Sequence, residues 1–224
     1  MNKAFWTTLT FSLGYLALSL FCLVGWGSST PLARLDRYSV TYLCIRLLGS
    51  LHSLISSRAV FRSKRAMRQW WALDSDPSGP VQVMFLMAAD LAVFLDYAHW
   101  HLVSGLEQPL LQRLGLALYI VSTTWQIWTD TCLATYFGQN HTEPVPMEHG
   151  PFRYVRHPRY AAAIVSKVAV ALVFASIVGW ALAAAWAYLL MRKIAIEEAH
   201  LQSVFGTTYE AYSHKTARIL PGIY

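Results

Sequence analysis

The sequence predicts an all-α chain, a polytopic transmembrane helical bundle of about five to six spans that closes on a carboxy-terminal helical hairpin. Three observations carry this prediction. Of the 224 residues, 55% are hydrophobic and only 13% charged, where ordinary soluble domains hold about 25% charged residues, so a water-soluble enzyme is disfavoured. The mean hydropathy is +0.36, and the apolar residues fall in runs that reach the roughly 20 helical residues needed to cross a hydrocarbon layer. No Pro/Ser/Gly-rich linker divides the chain, which reads as one integral unit: amino-terminal transmembrane helices over 1–138 and a polar, proline-punctuated region with the hairpin and a tail over 139–224.

The first span, Phe5 to Trp26, carries no charge; a run like this after Lys3 imitates a signal peptide, but no small-x-small site ends it, so it is expected to be retained. Tyr38 to Ile55 is interrupted by Arg46 and His52, which must face the bundle interior, snorkel, or mark an interfacial helix. Val81 to Val103 carries Asp90, Asp96, His99 and His101, and Leu110 to about Phe137 carries Asp130 near its end. Aspartates inside spans are costly and demand partners, for which Arg46 and Lys167 are the candidates. The stretch from Tyr160 to Met191 is apolar apart from Lys167. As one helix its ~32 residues would reach ~48 Å, well beyond the ~30 Å hydrocarbon core. Ser176 and Gly179 fall near its middle, which favours a tight hairpin over one long tilted helix and returns both ends to one side.

The surplus of 18 Lys+Arg over 12 Asp+Glu lies in the loops, with no basic face interleaved with aromatics. It therefore reads as membrane orientation, and no nucleic-acid partner is expected. The densest run, Arg58, Arg62, Lys64, Arg65 and Arg68, is expected in the loop after the second span and sets that loop in the cytoplasm, with both termini and the two ends of the hairpin on the same side. Cys22, Cys44 and Cys132 sit at wide spacing inside apolar stretches and read as small buried hydrophobes. No metal is expected: in His99-Trp100-His101 the two imidazoles are two residues apart and do not face each other on a helix.

Chemistry concentrates in the polar blocks that flank the hairpin. Before it runs Gly150-Pro151-Phe152-Arg153-Tyr154-Val155-Arg156-His157-Pro158-Arg159-Tyr160, and after it come Arg192 and Glu197-Glu198. Pro158 keeps His157 out of helical geometry and can open the next helix, so the side chains before it are held on a turn. A hairpin would set cations of one block against the carboxylates of the other, an arrangement suited to a zwitterion. Simpler readings compete: Arg153, Arg156 and Arg159 also fit the positive flank of a span, Glu197 and Glu198 an exposed helix face, and Tyr209 and Tyr212 an interfacial aromatic belt.

Together with Leu201, Phe205-Gly206, Tyr209, Tyr212 and Pro221, these blocks resemble the signature of the integral-membrane methyltransferases that include isoprenylcysteine carboxyl methyltransferase and the phospholipid N-methyltransferases. The resemblance covers about the last third of the chain. It departs at Ala162, where the family commonly has glycine. It implies S-adenosyl-L-methionine as methyl donor in a cytosolic pocket, with Gly150, Tyr154, His157, Pro158, Tyr160, Glu197 and Glu198 binding the cofactor and Arg156 and Arg192 near the methyl-transfer centre. Gly25-Trp26-Gly27 ends a span and supports no dinucleotide-type turn. The partners implied are the lipid bilayer and a lipophilic methyl acceptor. A carboxylate acceptor needs no base, whereas an amine or thiol does, and the blocks offer no firm one, His149 and His157 being the conceivable ones. The carboxylate of a prenylated cysteine is thus favoured over a phospholipid or small-molecule N- or S-acceptor. An NADPH-dependent reductase of the sterol-reductase kind and a non-enzymatic membrane scaffold are the competing classes.

Overall fold

The computed structural model describes residues 3–24, 35–62, 79–100, 102–103, 108–138 and 146–222. Their regular structure is helical, with no strand among the described residues and a single parallel bridge between Val155 and Ala217. The helices are α1 (Lys3–Val24), α2 (Arg37–Arg62), α3 (Gly79–Leu95), α4 (Pro109–Gly138), α5 (Pro158–Val173), α6 (Ile177–Phe205) and α7 (Thr207–Lys215). A π-type turn, Asp96–Trp100, extends α3, and a 3₁₀ turn, Gly150–Arg153, precedes α5.

The helices fall where the apolar runs lie, with one shift. α2 continues past Ile55 to Arg62, so Arg58 and Arg62 belong to a helix and not to the expected loop, while Lys64, Arg65 and Arg68 lie outside the described residues. So do Gly25, Trp26 and Gly27. Among the described residues, one helix, Ile177–Phe205, is long and apolar enough to cross a membrane by length and composition.

The stretch from Tyr160 to Met191 folds out and back. Ser176 N–H bonds to the Ala171 carbonyl (3.1 Å) and Ala175 N–H to the Leu172 carbonyl (3.3 Å), the paired closure that ends many helices. Ala175 itself takes the left-handed conformation at φ 46°. Ser176 then caps α6, its hydroxyl oxygen accepting from Gly179 N–H at 3.1 Å. Gly179 serves packing: a Cβ there would sit 3.0 Å from the Ala171 Cα, so α5 and α6 meet almost backbone to backbone. The aspartate of the π-type turn holds this bend, since Asp96 accepts from the Ser176 hydroxyl and from Leu102 N–H at 3.2 Å.

α5 pairs most extensively with α4, then α4 with α2. At Gly115 a Cβ would lie 2.7 Å from the Val173 nitrogen, which is why α4 can lie so close to the end of α5. Gln112 donates to the Val173 carbonyl at 3.1 Å and so satisfies one of the carbonyls left over at that helix end. Tyr42 is fully buried among Phe94, Tyr119 and Phe174, with ring centroids 4.6 to 5.9 Å away.

Exposure runs opposite to that of a bundle built for water. Leu48, Val81, Met84, Leu110 and Val121 are each more than 60% exposed, while Asp90, Asp96, Gln112, Ser122 and Thr129 are buried. Buried polar groups combined with a broad apolar exterior mark a surface made for a non-aqueous or protein partner. Cys22 is buried as expected, but Cys44 is exposed on that exterior and Cys132 is half-buried; all three are free thiols.

Candidate functional site

The antiparallel run of α5 and α6 decides where the two polar blocks meet. On α6 the buried stripe Gly179, Ala183, Trp186, Leu190, Ile194 follows helical spacing. Three and four residues further on come Glu197 and Glu198, beyond the apolar part of the helix. They continue the face that packs on α5, whose first turn holds Pro158 and Tyr160 and whose cap is His157. Pro158 occupies the first helical position, where its missing N–H costs nothing.

The resulting cluster is dense. Tyr160 OH donates to Glu197 Oε2 at 2.7 Å, and the His157 imidazole stacks flat on the Tyr160 ring, 5.5 Å between centroids and 7° between planes. His157 Nδ1 lies 3.9 Å from Glu197 Oε2 and its Nε2 3.4 Å from Glu198 Oε1. Glu198 receives two guanidiniums, Arg156 Nε at 2.9 Å on one oxygen and Arg218 Nε at 2.8 Å on the other. Burial opposes ionisation of Glu198, but the hydrogen bonds from His157 and Arg156, and the Arg156 charge, outweigh it and hold the carboxyl down to about 2.

The carboxy-terminal tail completes the cluster. Arg156 N–H bonds to the Ala217 carbonyl at 2.8 Å and His157 N–H to the Arg218 carbonyl at 3.0 Å, so the tail runs beside the turn before α5. Arg156 Nη1 donates to the carbonyls of Ser213 (2.7 Å) and Thr216, which carry the exposed end of α7. Tyr212 OH reaches the Phe152 carbonyl at 2.8 Å. Tyr209 and Tyr212 are therefore buried parts of this site and not an interfacial belt. The Tyr209 hydroxyl finds no hydrogen-bond partner among the described residues, and burial together with the Glu198 charge pushes its pKa up.

Of the residues singled out in the sequence, His157, Pro158, Tyr160, Glu197, Glu198 and Arg156 are brought together. Three are not. Gly150 and Tyr154 sit on the α4 side. Gly150 has φ +61°, and a Cβ there would lie 2.6 Å from Cys132 Sγ, so glycine is required for backbone shape and close approach. Tyr154 is half-exposed and tilts toward Trp128 at 6.4 Å. Arg192 is exposed and stands two residues beyond Leu190, about 200° round the helix from the buried stripe, so it points away from the Glu pair. Arg156 is 11% exposed and its fork is committed to Glu198 and two carbonyls, which makes it a clamp between α6 and the tail. Arg218, which also holds Glu198, carries no local signal in the sequence, because its contact is made only in three dimensions.

Residues 109–208 match the family model described as phospholipid methyltransferase. Over that stretch, a little under half of the chain, the protein is similar to phospholipid methyltransferases. The stretch covers α4, α5, α6 and the first residues of α7, and so includes both sides of the cluster. The resemblance to the integral-membrane methyltransferases is thereby shown, for a family of membrane-associated methyltransferases. No curated protein matches the chain.

Proposed function

We propose that the protein is an S-adenosyl-L-methionine-dependent methyltransferase embedded in the membrane, acting on a lipophilic acceptor from the cytoplasmic side. The observation that carries this reading is the meeting of His157 and Tyr160 on α5 with Glu197 on α6, in the segment that matches the family. The residues fit the donor's chemistry. Glu198 is neutralised by two guanidiniums, whereas Glu197 accepts from the Tyr160 hydroxyl, faces the His157 imidazole and is 30% exposed, so it can offer negative charge to a cation. The stacked His157–Tyr160 pair presents a flat aromatic wall, and the buried Tyr209 hydroxyl lacks a partner that a polar ligand atom would supply. When bound, the donor supplies a sulfonium methyl group that passes to an acceptor lone pair.

The chain's own residues hold and orient. Glu197 binds positive charge, Arg156 acts as a positioning residue that fixes Glu198 and the tail, and a charge-cancelling transfer needs alignment and exclusion of water more than a strong base. Arg192 faces elsewhere on α6 and enters this scheme only as part of the cytoplasmic basic flank. The apolar exterior supports a chain of about five to six passes, and the bias of cations to cytoplasmic loops would set both termini in the cytoplasm. For the acceptor, the engagement of both His157 nitrogens with carboxylates favours a prenylated-cysteine carboxylate, which needs no base, while the family match favours a phospholipid headgroup.

Calorimetric titration of the purified chain with S-adenosyl-L-methionine and with NADPH tests the reading. Binding of the first alone is expected, weakened at least tenfold by Glu197→Gln; binding of NADPH alone would establish the reductase class, and binding of neither a scaffold. Transfer of labelled methyl to extracted lipids or to a farnesylated cysteine peptide then separates the two acceptors.

A further inference from the structure

A cavity of about 420 Å³ lies among α1 to α5, within the ~300–1,000 Å³ usual for small-molecule sites. Along α5 its wall is one helical face: Arg159, Ala162, Ala163, Ser166, Lys167 and Val170. Its Arg159 end is thus one residue from Tyr160. Arg159 lies 3.6 Å from Asp130 on α4. Toward the other end Asp90, only 2% exposed, meets two cations: Arg46 Nη1 at 3.0 Å and the Lys167 ammonium. Tyr15 OH donates to the same carboxylate at 2.7 Å, and its ring lies 4.3 Å beneath the Arg46 guanidinium.

Among the described residues, the charges at this end do not balance. Two cations share this one carboxylate inside the bundle, where a charge without a counter-charge is costly. Three other lining residues, Leu13, Leu47 and Leu51, are also exposed on the outside of the bundle, so the cavity has an apolar side facing outward and a polar interior with a surplus positive charge. That is the shape of an amphiphile with an anionic head.

We propose that Lys167 and Arg46, set around Asp90, form an anion site that takes the negatively charged headgroup of the lipophilic methyl acceptor while its tail leaves past Leu13, Leu47 and Leu51. This rests on the methyltransferase reading for the word acceptor, though not for binding. Lys167 and Tyr160 stand two helical turns, ~10 Å, apart along α5, and the cavity wall runs between them as far as Arg159. The ligand chemistry is an anionic head on an apolar tail, a phosphate ester or a carboxylate. Ala162, where the family pattern has glycine, lines the same wall.

The test needs no donor. The detergent-purified full chain is titrated with dodecyl phosphate, N-acetyl-S-farnesylcysteine and dodecanol. At least one anion is expected to bind tenfold or more tighter than the alcohol, and which one does so names the source. Lys167→Met, which leaves Arg46 paired with Asp90, should abolish that preference, and Lys167→Arg should keep it, with thermal melting showing both variants folded. Equal binding of anions and alcohol, or a preference that survives Lys167→Met, overturns the proposal. Failure of the protein to bind S-adenosyl-L-methionine would instead overturn the methyltransferase reading and leave the anion preference standing.

Discussion

Two charged clusters share α5 and differ in how their charges are met. At the amino-terminal end of the helix, Glu198 is surrounded by Arg156, Arg218 and His157, and four backbone carbonyls, of Ser213, Thr216, Ala217 and Arg218, finish the Arg156 and His157 donors. Two turns along, Asp90 is enclosed by the side chains of Arg46, Lys167 and Tyr15 within the helical bundle. The first cluster uses loop and helix-end backbone to balance itself, and its individual charges are replaceable at moderate cost. The second has only side chains to work with, because helix interiors satisfy their own backbone, so each charge there depends on the others.

The contrast breaks most sharply at Asp90. Asp90→Ala leaves two cations without a counter-charge, and a loss of about 3–5 kcal/mol is expected, read as a collapse of folded protein or a large fall in melting temperature in detergent. Retention of wild-type stability would mean that the Asp90 cluster is no more interdependent than the Glu198 cluster.

Next in size is Glu198→Gln, which weakens two charge-assisted bonds and should cost about 1.5–3 kcal/mol at neutral pH. Its pH signature is specific. The folded Glu198 carboxyl titrates near 2, below the ordinary value of 4.5, so its contribution is complete above about 4.5 and fades as the pH falls toward 2. Melting curves between pH 7 and 3 should show an acid-side decline that is flatter in Glu198→Gln than in the natural chain; parallel declines would place the acid sensitivity elsewhere.

Smaller, and opposite in sign, is Tyr209→Phe. Removing a buried hydroxyl with no partner should leave the ligand-free chain unchanged or more stable by up to about 1 kcal/mol, while weakening donor binding. A marked loss of melting temperature without ligand would show that the hydroxyl is satisfied within the protein. The smallest effect is expected at Arg192→Ala, an exposed side chain turned away from both clusters, whose melting temperature should move by no more than about 0.5 kcal/mol allows.

Much of the site could be read in one dimension because its parts are local. Pro158 after His157, the tyrosine two residues on, and the Glu pair one helical repeat past Ile194 each carry their own spacing, and the hairpin followed from comparing an apolar length with a bilayer. The demand of Asp90 for a cation was equally legible, and it draws both candidates, Arg46 and Lys167. What stayed hidden was direction. Arg192 and Glu197 look alike as polar residues after a span, and only the rotation of α6 fixed by Gly179, Ala183, Trp186 and Leu190 against its neighbours turns one outward and the other toward α5.

By itself, then, the sequence determined helices, their apolar lengths and the residues able to carry charge, since propensity, hydropathy and capping act within a few positions along a chain. The tertiary structure alone decided which charges meet: that Arg218 joins Glu198, that Tyr209 and Tyr212 are buried by the tail, and that two cations face one aspartate beside a cavity. The reason is that electrostatic partners are chosen by distance in space, and close approaches such as Gly115 to Val173 and Gly179 to Ala171 set those distances between residues far apart in the chain.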